Sequence, residues 1–101
     1  MDRREQLRGY FANVDEDKRS IAFDTIEEYL FFLDRIEELK RLPYIRVHPN
    51  DKARQELTPA AKLIREYSQA IDSKRKTLLT ILYRVESSAA DELLQRLSEF
   101  E

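Results

Sequence analysis

One pattern constrains this chain more than any other. Ala60, Ile64, Tyr67, Ile71, Lys74, Leu78, Ile81 and Val85 recur at alternating spacings of four and three without a break. Such spacing marks a helix with one stripe buried against another helix in coiled-coil fashion. Thr58 and Pro59 stand just ahead of it. They supply a capping hydroxyl and the residue whose missing N–H is no loss in a first helical turn. Residues 58–86 are therefore predicted to form one long helix. Lys74 is the only polar residue in the seam. It can set the register, meet an acid on a facing helix, or snorkel at the rim, and snorkelling is the expectation.

A helix of about 16–42, within the segment 15–42, is the natural partner. Ala22, Ile26, Tyr29, Leu33 and Ile36 repeat the same spacing, and Phe23, Leu30, Phe32 and Leu39 widen the stripe. The run Tyr29-Leu30-Phe31-Phe32-Leu33 is apolar all round the helix, more than one partner helix can cover. Pro43 ends this helix. The connection 43–57 is bounded by prolines, which push Leu42 and His48 out of helical dihedrals. Within it Ile45 and Val47 alternate as a short strand would. A short N-terminal helix is predicted over 2–12, in the segment 1–14, because Leu7, Tyr10, Phe11 and Val14 fall on one face. Gly9 weakens it by roughly 1 kcal/mol relative to Ala. Asn13 and Asp15 are candidate caps for the next helix. Ser87 or Ser88 restarts a last helix over 88–101, with Asp91 completing an approximate capping box. Its apolar face is Leu93, Leu94, Leu97 and Phe100.

A single glycine and three prolines leave little turn chemistry for a sandwich or barrel. The predicted fold is one all-α domain of 101 residues, a long antiparallel helical hairpin flanked by short helices. Two rods of roughly 40 Å make a poor globule for so short a chain, so self-association is the expectation. Its candidate surface is Tyr29, Leu30, Phe31, Phe32, Leu33, Ile71, Leu78 and Ile81.

Charged residues make up 38% of the chain, against roughly a quarter in ordinary domains, and they fall in blocks. Residues 15–38 hold nine acids and three bases, residues 40–84 eleven bases and four acids, and residues 86–101 five acids and one base. Such blocks either complement one another within a fold or assembly, or meet a polyanion. Internal complementation is the simpler expectation. Arg41, Arg46, Lys52, Arg54, Lys62 and Arg65 surround the connection and are the candidate contacts to DNA phosphates, which would be salt-dependent and indifferent to sequence. Lys74, Arg75 and Lys76 form a second basic cluster.

Catalytic signals are weak. Cysteine is absent and His48 is the only histidine, so neither a thiolate site nor a nucleophile–base pair is indicated, and His48 reads as a loop residue packing locally. Asp24, Glu27 and Glu28, like Asp34, Glu37 and Glu38, could offer two acids on one helix face. A bundle metal site also needs matching ligands from the facing helix, where only Glu66 and Asp72 stand. No metal and no cofactor are expected. A glycine-rich phosphate loop is impossible with one glycine. No run of residues suits a membrane span or a signal peptide, which makes the cytoplasm the expected location.

Several of these features occur together in one known family. Leu42-Pro43-Tyr44-Ile45-Arg46-Val47-His48-Pro49-Asn50-Asp51 is followed by Thr58-Pro59-Ala60-Ala61-Lys62, then Arg65-Glu66-Tyr67 and the stretch Asp72 to Lys76. Over residues 20–85 the chain resembles the phage small terminase subunits of the P27-like type, short proteins of phages and prophages of Gram-positive bacteria. The resemblance implies a non-enzymatic DNA-packaging component of the bacterial host cytoplasm. Such a protein oligomerises through a helical core, engages viral double-stranded DNA and presents it to the large ATPase–nuclease subunit. The family's DNA-binding part is often a separate N-terminal domain, and only residues 1–14 precede the hairpin here. By the same analogy Leu93, Leu94, Leu97 and Phe100 are the candidate docking face for a partner protein. The alternative is a helical protein-interaction module or regulator with no DNA contact. A metal-dependent hydrolase on a helical bundle is a third reading.

Overall fold

The computed structural model describes residues 2–42, 45–48 and 51–101, and side chains outside 43–57. In chain order the elements are α1 (Arg3–Gly9), α2 (Glu16–Leu39), β1 (Ile45–His48), β2 (Asp51–Leu57), α3 (Pro59–Tyr83) and α4 (Ser87–Phe100). Among the described residues the core is drawn from the four helices and from Phe11 and Val14 in the turns after α1.

α2 and α3 lie side by side in opposite senses. Glu28 meets Lys74, and Phe32, one turn further along α2, meets Tyr67, two turns earlier in α3. α1 runs back along α2, its start at Asp34 and its end near Glu27 and Phe23. α4 runs back along α3: the Tyr83 hydroxyl donates to Asp91 at 2.8 Å, and Glu101 reaches Arg75. Arg3 lies over the Phe100 ring at 5.9 Å, so α1 and α4 also face each other. The four helices close a short antiparallel bundle. Its interior is Leu7 and Phe11 before α2, Ile26 and Tyr29 from α2, Leu78 and Leu82 from α3, and Leu93 and Leu97 from α4. Each buried apolar side chain of this size stabilises the fold by roughly 1.5–3 kcal/mol.

Both long helices continue past the bundle as a two-helix shaft. There Ile36 and Leu39 of α2 and Ala60 and Ala61 of α3 remain buried. The molecule measures 60 × 23 × 22 Å with a radius of gyration of 17.4 Å. A globule of this length would have a radius near 13 Å.

Local chemistry sets the element ends. Thr58 caps α3, its hydroxyl accepting from the Ala61 N–H at 3.2 Å. α2 stops at Leu39, three residues short of the predicted end. The ring of Pro43 is incompatible with a helical carbonyl four residues earlier, and the last turn tightens through Arg41 N–H to Glu38 and Leu42 N–H to Leu39 bonds. α1 likewise ends at Gly9 rather than 12, and tight turns from Leu7 to Val14 deliver Phe11 and Val14 to the core. Asp15 caps α2 without a side-chain bond. The residue at the α4 cap is Glu86, not Ser87 or Ser88, and Asp91 accepts from Tyr83 instead of completing a capping box.

The connection departs from an all-helical reading. β1 and β2 pair antiparallel, with Ile45 opposite Leu57, Arg46 opposite Glu56 and Val47 opposite Gln55, and the register shifts between Val47 and His48. The alternation of Ile45 and Val47 is the sequence counterpart of this ladder.

Candidate functional site

Glu27, Glu28 and Asp34 of α2 meet bases from other helices of the same chain. Arg4 Nε donates to Glu27 Oε1 at 2.6 Å, and Arg8 reaches the same oxygen at 3.0 Å. That hydrogen bond from Arg4 holds the Glu27 carboxyl below the usual carboxylate range. Arg3 pairs with Asp34 at 3.2 Å. On the other side of α2, Lys74 pairs with Glu28. Lys74 therefore does not simply snorkel: it finds the acid that the antiparallel register sets beside it. Arg3, Arg4 and Arg8 are not among the residues singled out by spacing in the sequence. Their signal was a cluster of three bases on a segment too short to stand alone, ahead of a strongly acidic helix.

The basic block divides in two. Arg75 is held by Asp72 at 2.8 Å and by Glu101 at 2.6 Å, so with Lys74 it serves the fold. Arg41, Lys62 and Arg65 are surface residues of the shaft, and none forms an ion pair with a described residue. Arg46, Lys52 and Arg54 belong to the paired strands, and their side chains, like that of His48, lie outside the described residues.

The apolar candidates also divide. Tyr29, Leu30, Ile71 and Leu78 are buried within the chain itself, covered by its own helices. Phe32, Leu33 and Ile81 are half-buried against the same core. Only Phe31 of this set stands out, 57% exposed and edge-on to Phe32 at 5.6 Å. The expected docking face on α4 needs correction. Leu93 and Leu97 are fully buried because the chain's own bundle already uses that face. Phe100 is half-buried beneath Arg3, and Leu94, turned outward, keeps 42% of its surface.

Where α1 starts, α4 ends and the shaft begins there is a cleft of about 540 Å³. Leu33, Ile36, Ile64 and Ile71 line its floor, and Arg3, Asp34, Glu37, Lys40 and Glu101 its rim. Among the described residues, no three acids or histidines come together as metal ligands. Nor is any helix among them long and apolar enough to cross a membrane. The chain matches no family model, no curated protein and no solved structure.

Proposed function

We propose that this chain is a non-enzymatic assembly protein of the kind its resemblance to small terminase subunits implies. In this reading, copies associate through the helical hairpin in the host cytoplasm. The shaft offers its cations to the phosphates of double-stranded DNA, and the large ATPase–nuclease subunit is the protein partner. The observation that carries the reading is the unequal use of charge. Glu27, Glu28 and Asp34 are neutralised inside the chain, whereas Arg41, Lys62 and Arg65 stand on the shaft without an ion-pair partner among the described residues.

A mobility shift on duplex DNA over a salt series tests it. Replacing Arg41, Lys62 and Arg65 together by Gln should weaken binding and flatten the log–log salt slope by about 2–3, since each phosphate contact contributes roughly 0.9. Binding unaffected by the triple change would remove DNA contact through these residues. The second reading, a protein-binding module without DNA contact, is favoured by exposed Phe31 and Leu94. It is the one left standing if the wild-type chain shifts no DNA while still associating.

A further inference from the structure

α1 and α4 both pack on one side of the α2–α3 pair, leaving its other side uncovered by any described helix. Ile21, Glu28 and Phe32, spaced seven and four apart, share that side of α2. Tyr67, Lys74 and Ile81, spaced seven apart, share it on α3. The two rows are level. Glu28 pairs with Lys74, and Phe32 and Tyr67 have ring centroids 5.4 Å apart. Ile21 lies two turns before Glu28 and Ile81 two turns after Lys74, so the same register sets them opposite each other. The resulting ladder has an aromatic rung, an ionic rung and an aliphatic rung. Parts of it remain open to solvent: Ile21 is 55% exposed, Phe31 extends the aromatic rung at 57%, and the Glu28 side chain keeps 53%.

The ladder has a symmetry consequence. Consider a two-fold axis lying along the seam between α2 and α3, just above this face. It carries α2 of a second copy over α3 of the first at the same level along the rods. Every residue then meets the residue type that already neighbours it across its own seam. Glu28 faces Lys74 of the second copy, and Phe32 faces its Tyr67. Ile21 faces its Ile81. Complementarity built within one chain is thus reproduced between two. An axis across the rods instead stacks α2 on α2 and sets Glu28 against Glu28, which like-charge repulsion opposes. A partner with its own unrelated sequence has no such built-in match.

We infer that this face binds a second copy of the chain in a parallel, two-fold arrangement, the hairpins side by side and pointing the same way. The inference rests on the self-association in the proposed function and specifies its interface. Such an isologous contact is self-complementary and closes on itself. Two hairpins so stacked form a second four-helix layer, in which the Glu28–Lys74 pair becomes a four-charge cluster flanked by aromatic and aliphatic rungs.

Sedimentation and cross-linking test it together. Glu28→Lys and Lys74→Glu chains should each self-associate at least tenfold more weakly than wild type, with unchanged helical content because both side chains reach the surface. Mixed in equal amounts, the two variants should associate with each other at near wild-type strength. Across that mixed interface the lysine introduced at position 28 faces the glutamate introduced at position 74, and the unaltered Lys74 and Glu28 still face each other. Each chain keeps its own internal repulsion, so recovery on mixing reads the contact between chains. The lack of native cysteine makes the geometry directly readable. A Glu28→Cys chain mixed with a Lys74→Cys chain should be joined by a short thiol cross-linker into mixed dimers. Association with cross-links between two Glu28→Cys chains, or with no cross-link at all, overturns the parallel two-fold while leaving self-association intact. A wild-type chain that stays monomeric at all concentrations overturns both.

Discussion

Tyr29 shows how much a single residue can join. Its ring is fully buried in the core, and its hydroxyl donates to Glu101 Oε1 at 3.0 Å, 72 positions away in sequence. Arg75 holds the other oxygen of that carboxylate. Burial first, and then the neighbouring Glu101 charge, raise the phenol's pKa well above its ordinary value of 10.0. Below that ordinary value the folded and unfolded chains both keep the proton, and pH has no effect through this group. Above it the unfolded chain ionises while the folded one does not, so stability falls as pH rises. Tyr29→Phe should cost about 0.5–1.5 kcal/mol near neutrality. It should also lose part of the decline above pH ~10, measured by urea unfolding at several alkaline pH values. Identical alkaline profiles for the two chains would mean the phenol is not the group responsible. The apolar character of position 29 was legible in the sequence. Its tie to Glu101 was not, because no local spacing relates residues so far apart. Lys74 is the same lesson in reverse. Its place in the seam was legible, but the identity of its partner depends on the helix register.

At the scale of elements, α4 is the instructive case. Leu93 and Leu97 are four apart on one face with Ala90 beside them, and all three are fully buried. Leu94 is rotated off that face. The periodicity correctly marked an amphipathic helix, but an apolar stripe does not say whether its partner is the same chain or another. Here it is the same chain. Leu97→Ala should cost about 2–5 kcal/mol of stability, as expected for a truncated core leucine. Leu94→Ala should stay within about 0.5 kcal/mol, as for ordinary surface positions. Thermal or urea unfolding separates the two, and equal, small effects would show that α4 is not part of the core. Capping followed the same division: Thr58-Pro59 was readable because the signal is local. α4 does begin at Ser87, but its cap is Glu86, and the local spacing of Ser88 and Asp91 does not reveal that Asp91 is taken by Tyr83.

On the scale of the whole molecule, the four-three spacing translated directly into length. Helices of 24 and 25 residues supply about 36–38 Å of the 60 Å long axis. The two short helices cover only part of it. Small-angle scattering of the dilute chain should return a radius of gyration close to 17.4 Å rather than the compact value near 13 Å. A result near the lower figure would mean that the shaft folds back on the bundle. The division of basic residues between fold and shaft was not legible in advance. It follows from which residues α1 and α4 pack against, a property of packing rather than of charge sequence.

α2 changes character along its length. Ala22, Ile26 and Tyr29 are buried in the bundle, whereas Glu37 and Lys40 stand at the rim of the open cleft. Bundle size and reach are thereby decoupled. Equal whole-turn insertions in α2 and α3 beyond this mark would extend the arm and leave the interior untouched, so the distance from tip to body can be tuned at little energetic penalty.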